Sequence, residues 1–331
     1  MREKDSRHIN RPVKVPNTIF YIKSGRVVPN GAPSGLSTLA ISASRIDLSW
    51  TNGSSNEDGI TIERSADGIS FSQIATVAKG VTSYSNTGLS EASRYYYRVA
   101  AYKGAVLSSY SLITIGVTFA TVFSDSNHVA VLDKSRSVTK DSSNRVSDWA
   151  DIMGSGRSVA QAGADNLKPI WDAEGITADG IRQYMQSAAW TWNQPMVIYA
   201  VMKAISWTAN DVLFDGRTDI RMYCYQSPTS QKITLGSAGF ESAALDMTTN
   251  TMVIIRAIIN GSSSNLRVNT TSTANFNGGS GTAGGLTLFS RGTPGQYANA
   301  KAASIVCRKS VPSAGDDTSI MNFLKYSNGL S

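Results

Sequence analysis

Histidine and cysteine are nearly missing from this 331-residue sequence, which holds two of each. Cys224 and Cys307 cannot build a disulfide scaffold or a four-thiolate zinc site. His8 and His128 lie far apart with no HExxH spacing, which argues against imidazole-based metal or triad chemistry. Charged residues make up only 17% of the chain, so Ser, Thr, Asn and Gly must cover much of the surface. No apolar run approaches the roughly 20 residues that span a bilayer, so membrane insertion is not expected. The longest early apolar stretch, Ile19-Phe20-Tyr21-Ile22, falls short of a secretory hydrophobic region. With hydrophobic residues at 41%, the chain is nonetheless rich enough in apolar surface to fold. Together these shortages weigh against an enzyme.

The net charge of +7 is unevenly placed. Residues 1–30 hold seven basic and two acidic residues, whereas 33–118 hold six of each and 119–331 hold 18 and 16. The basic character therefore belongs to a leading arm, 1–32, which carries Pro12, Pro16 and Pro29 and no helical period. Two readings fit such an arm, a solvated tail and a docking segment that lies on an acidic neighbouring subunit. A nucleic-acid-binding domain would show a folded basic face instead, so nucleic acid is not an expected partner.

From Pro33 onward the sequence becomes short alternating segments between turn signals. Ile46-Asp47-Leu48-Ser49-Trp50 alternates as a half-buried strand does, and Ile60 and Ile62 open another strand that closes at Asp67-Gly68. Tyr95, Tyr97, Val99 and Ala101 then alternate with Tyr96, Arg98 and Ala100. Strands at this spacing predict an antiparallel sandwich over 33–118. Several features resemble a fibronectin type III domain: Pro33 and Leu36 at its start, Trp50, the hairpin Glu63–Gly68, and Leu89 followed six residues later by Tyr95. The resemblance implies a spacer or adhesion module in which Tyr95 plays the structural part of a tyrosine corner.

Residues 119–331 are strand-rich again, with apolar runs at Met196–Val201, Met252–Ile259, Leu286–Phe289 and Ala302–Cys307. A helix is expected near the C-terminus, with Asp316 and Asp317 in its first turn, Ile320, Phe323 and Leu324 on one face, and Asn328-Gly329 as the stop. Ser137–Asp141, Asn144–Asp151, Gly154–Arg157, Asp179-Gly180 and Tyr184-Met185 resemble the laminin-G-like members of the concanavalin A-like jelly-roll superfamily. The expected fold class is thus all-β: two antiparallel sandwiches, an extended arm and a short C-terminal helix. One departure is Lys301-Ala302-Ala303-Ser304, where many such relatives open the penultimate strand with an acid.

Glucanases of that superfamily set Glu-x-Asp-x-Glu on one strand, and no such triplet occurs here. Asp172 with Glu174 reads either as an acid pair or as a surface turn. Asp211, Asp215 and Asp219, with Gly216 among them, would suit a calcium loop or an ordinary polar loop. No other cofactor is expected. Trp190 and Trp192 alternate across Thr191, and Tyr223 and Tyr225 across Cys224, so each pair would share a strand face. One pair is expected to line the core. Trp190, Trp192 and Tyr225 are the candidate sugar-binding platform. Cys224 and Cys307 read as buried free thiols.

Adhesion-type modules without an export signal suit a bacteriophage virion protein, made in the host cytoplasm and released by lysis to the virion surface. Its arm would bind other virion proteins or like subunits, in many copies, and its jelly roll would face cell-surface glycans. The alternative is an accessory carbohydrate-binding protein of a secreted polysaccharide-degrading system.

Overall fold

The computed structural model describes residues 12–15, 18–21, 27–217, 222–229, 231–237 and 239–330. These residues are built of antiparallel strands, with one α-helix among them, Ala314–Ser327. In the leading arm, Pro12–Val15 pairs antiparallel with Thr18–Tyr21, Pro12 opposite Tyr21. The rest of residues 1–26, and with it most of the expected docking segment, lies outside the described residues. Two compact units follow. The first gathers residues up to 41 with 45–88 and 94–116; the second takes 42–44, 89–93 and 117–331.

The first unit has a three-stranded sheet (Ser34–Ser42, Arg45–Thr51, Ser83–Asn86) and a five-stranded one centred on Gly59–Ser65 and Arg94–Lys103. The alternation read in the sequence holds: Ile46, Leu48, Trp50, Ile60 and Ile62 are buried. The Asp67-Gly68 hairpin is closed by Asp67 Oδ1, which accepts the amides of Ile69 and Ser70, each at 2.8 Å. Gly68 supplies the positive φ of 78° that the turn requires. Tyr97 is the fully buried phenol of its strand and donates to Asn86 Oδ1 at 2.9 Å. Tyr95, half-buried, lies under the Arg64 guanidinium, 5.1 Å from the ring centre.

In the second unit an eight-stranded sheet is centred on Ala300–Arg308, Met196–Ala204 and Val253–Ile259. A ten-stranded sheet runs from Val138–Lys140 through Leu286–Leu288, Val212–Gly216 and Tyr223–Gln226 to Lys232–Ser237 and Phe240–Glu241. One apolar cluster draws on both: Ile198, Ile255 and Ile305 from the first sheet, Phe214, Cys224 and Leu288 from the second. The sheets therefore pack face to face as a sandwich. All nine residues of Ala300–Arg308 are buried, including the polar Lys301, Ser304 and Arg308 among its apolar neighbours.

The helix begins where Ser313 Oγ accepts the Asp316 amide, and Ile320, Phe323 and Leu324 are its buried residues. Phe323 meets the rings of Phe119 and Phe123 edge-on at 5.9 and 4.9 Å. Asp317 fastens the helix to the eight-stranded sheet. It accepts from Arg267 at 2.7 and 3.0 Å and from Arg256 at 3.2 Å, and the Tyr199 hydroxyl donates to it as well. Burial is the largest single influence on this carboxyl and opposes its charge. The hydrogen bonds from Arg267 and Tyr199 and the two guanidinium charges outweigh it and hold the pKa below the ordinary value.

Replacing Asp317 leaves two half-buried guanidinium groups facing each other without their anion. Asp317→Ala is expected to cost about 3–5 kcal/mol in urea unfolding, as for other broken buried pairs. Because the folded pKa is depressed, the wild-type contribution is present above the unfolded value of about 3.9 and is lost on acidification through the folded one. The variant should therefore converge on wild type at low pH.

Candidate functional site

Strands Val212–Gly216, Tyr223–Gln226 and Lys232–Ser237 lie side by side in the ten-stranded sheet. Alternation sends Cys224, Ile233 and Leu235 into the core and turns Tyr223, Tyr225, Thr234 and Gly236 to the opposite face. A register shift between Val212 and Phe214 bulges the first of these strands and sets Val212 opposite Tyr225. The Tyr223 and Tyr225 rings stack, 5.5 Å apart and 26° from parallel.

Gly236 pairs with Tyr223 on one side and with Glu241 on the other. A Cβ at Gly236 would fall 2.2 Å from the Tyr223 ring, so the ring occupies the space that any other residue would fill. Across that gap the Tyr223 hydroxyl donates to Glu241 Oε1 at 3.3 Å. Burial, then the nearby Glu241 charge and hydrogen bond, push the Tyr223 phenol up to about 12. The same causes raise Tyr225, so both rings are neutral donors at neutral pH.

The other wall is the 290–296 loop, which is held through its backbone. Gly292 donates its amide to Asp215 Oδ2 at 3.0 Å, and its carbonyl accepts from Gln186 Nε2 at 2.6 Å. Ser290 Oγ bonds the Gly295 carbonyl and amide, each at 2.9 Å, and the Gln296 carbonyl accepts the Val212 amide at 2.9 Å. The loop presents Arg291, whose Nη1 donates to Gln296 Oε1 at 3.2 Å. Floor and walls enclose a cleft of about 210 Å³ lined by Tyr223, Tyr225 and Val212 below, Arg291 and Gln296 on one side, and Glu241 with Asn210 at its margin.

Of the three residues expected to form a platform, only Tyr225 lies here, and it is largely buried as one of the stacked pair. Trp192 is almost wholly buried, although with Trp190 it borders a second, open cleft beside Asn193, Arg217 and Thr282. It is 1% exposed, and its Nε1 donates to the Arg308 carbonyl at 2.9 Å. Trp190 is half-buried against the same core, its ring 6.5 Å from that of Trp192. Both tryptophans belong to the link between the strands Met185–Ser187 and Met196–Ala204, not to a strand face. Their alternation marked a core-filling pair, while Tyr223, whose spacing was equally visible, joins the cleft. Glu241, Arg291, Asn210 and Gln296 carried no local signal, since chain folding alone brings them together.

Of the aspartates considered for calcium, Asp211 and Asp215 are described, and Asp215 has a structural partner. Asp215, 1% exposed, serves the Gly292 amide, and Asp219 lies outside the described residues. Among the described residues no three His, Cys, Asp or Glu side chains gather as a metal site would require. Asp211 is raised to about 6 by burial, which a hydrogen bond from Thr208 only partly offsets. The pair Asp172 and Glu174 is taken up by lysines: Lys301 Nζ reaches Asp172 at 2.5 Å and Glu174 at 3.1 Å, and Lys203 reaches Glu174 at 2.8 Å. Hydrogen bonds from Lys203 and then Lys301 hold Glu174 down to about 2. Lys301 and Lys203 are direct cross-strand partners, so the acids neutralise a like-charge pair. Cys224 and Cys307 are free and buried, and burial raises both thiols.

Residues 31–117 match the fibronectin type III domain family, and this stretch of the chain is such a domain. No curated protein matches the chain. Among solved structures, an Fn3-like protein from Clostridium thermocellum is similar at 29% identity, over 28% of this chain and 95% of that one, with a TM-score of 0.25. Titin domains A168–A170 are similar at 23% identity, over 28% of this chain and 33% of theirs, with a TM-score of 0.25. A β-1,2-glucanase from Parabacteroides distasonis is similar at 24% identity, over 29% of this chain and 14% of its own, with a TM-score of 0.26. The chain thus spans a third of the titin fragment and a smaller share of the glucanase.

Two substitutions test this geometry. Gly236→Ala must expel the Tyr223 ring, and is expected to cost about 1–3 kcal/mol and to diminish the near-ultraviolet tyrosine dichroism. Asp211 binds its proton more tightly when folded, so it destabilises the protein as pH rises from about 4 through its folded value of about 6. Asp211→Asn is therefore expected to raise the melting temperature at pH above about 7 and to leave it nearly unchanged at pH near 4.

Proposed function

We propose that the chain is a non-enzymatic structural protein of a bacteriophage virion, a head fibre, decoration protein or tail-associated adhesin, whose second unit binds glycans. The observation that carries the binding role is the stacked Tyr223–Tyr225 floor with a carboxylate, a guanidinium and two amides around it. Aromatic faces take the apolar side of a sugar ring, and convergent polar groups read its hydroxyls. Binding without turnover is favoured because Asp172 and Glu174 are engaged by Lys301 and Lys203, and because Glu241 is the one acid among the described residues lining the cleft. The fibronectin type III domain serves as a spacer. The second sandwich is read as a concanavalin A-like jelly roll from the resembling stretches 137–185, and the basic arm is read as the anchor that places many copies on a particle.

The test has two readouts. On a glycan array the purified chain should retain a defined subset of saccharides, and Tyr223→Ala should weaken that binding about tenfold, the loss of one stacking contact. Deleting residues 1–32 should prevent incorporation into particles while leaving glycan binding intact. Array signals unchanged by Tyr223→Ala, or normal incorporation without the arm, would overturn the respective half of the reading. Recovery of the chain from a secreted polysaccharide-degrading complex would favour the accessory-protein alternative.

A further inference from the structure

Resting on that binding role, we infer that the Tyr223–Tyr225 cleft takes a single uncharged sugar ring, the terminal residue or a one-residue branch of a glycan. Size is the first argument. A volume of about 210 Å³ lies below the roughly 300 Å³ at which larger organic ligands are enclosed, a size suited to one ring. The backbone-fastened 290–296 loop walls one side of the cleft with Arg291 and Gln296, so a single ring seats against it more readily than an internal stretch of polysaccharide.

Charge is the second argument. Glu241 and Arg291 line the same small cleft, so its formal charge is balanced. The carboxylate sits at the tyrosine end, where the Tyr223 hydroxyl donates to it, and Arg291 is already engaged with Gln296. An acidic sugar would gain from Arg291 but would bring its own carboxylate beside that of Glu241, and like charges at close range repel. A neutral ring meets no such conflict. Its hydroxyls can donate to Glu241 and accept from Arg291 while its apolar face lies on the stacked phenols, the bidentate pattern suited to adjacent hydroxyls.

The test is competition against an immobilised glycan retained by the array. The competitors are the methyl glycosides of glucose, galactose, mannose and N-acetylglucosamine, against free glucuronic, galacturonic and N-acetylneuraminic acids. At least one neutral glycoside is expected to compete to completion, at least tenfold better than every acid. Glu241→Gln keeps an acceptor but removes the repulsion, so it should narrow that gap by improving the acids, and a melting curve establishes that the variant is folded. Preference for an acidic sugar, or competition only by oligosaccharides, would overturn the inference while leaving the glycan-binding role standing. Retention of no glycan at all would overturn both.

Discussion

A carboxylate removed from water must be given donors, and Asp215 is given the amide of Gly292. That bond, with those from Gln186 to the Gly292 carbonyl and from Val212 to the Gln296 carbonyl, ties the 290–296 loop to the ten-stranded sheet, 77 residues away along the chain in the case of Asp215. Together these bonds give the cleft its second wall. With the loop fixed, Arg291 and Gln296 stand over the tyrosines; without it, the same strands would present a flat patch of two phenols. The aspartate that sequence spacing offered as a metal ligand is thus a structural clasp.

Similar clasps recur through the second unit. Asp317 gathers Arg256, Arg267 and Tyr199 beneath the helix, and Arg308, 1% exposed, reaches Asp125 at 2.7 Å and the Val122 carbonyl at 2.9 Å. Lys301 holds Asp172 and Glu174. In each case a charged group with little exposure is met by a partner from a distant segment of the chain. Apolar burial supplies most of the cohesion, while these pairings fix which segments may lie together, since a misplaced segment would leave a buried charge unmet.

The strands were legible because their period is local. Ile46 to Trp50 alternates, Met196 to Val201 does not, and the first lies in a small two-sheet unit while the second is a central strand buried throughout. The helix was legible for the same reason, from Asp316 and Asp317 in its first turn to its stop at Asn328-Gly329, although its cap, Ser313, was not. The cleft was legible only in part. Tyr223 and Tyr225 announce a shared face, but so do Trp190 and Trp192, and residue type cannot say which pair faces the core. That choice is made by the partners across the sheet: Gly236 leaves room above itself for a ring, whereas Trp192 finds a carbonyl, that of Arg308, inside the core. Such partners lie 13 and 116 residues away, beyond the reach of any spacing rule.

The manner in which the 290–296 loop is held has an evolutionary corollary. Its fastenings use the amide and carbonyl of Gly292, the backbone of Gly295 and the carbonyl of Gln296, while the side chains at 291 and 296 bond to each other. A lineage could therefore exchange those two residues together, and with them the chemistry of the cleft wall, without relearning how to fold.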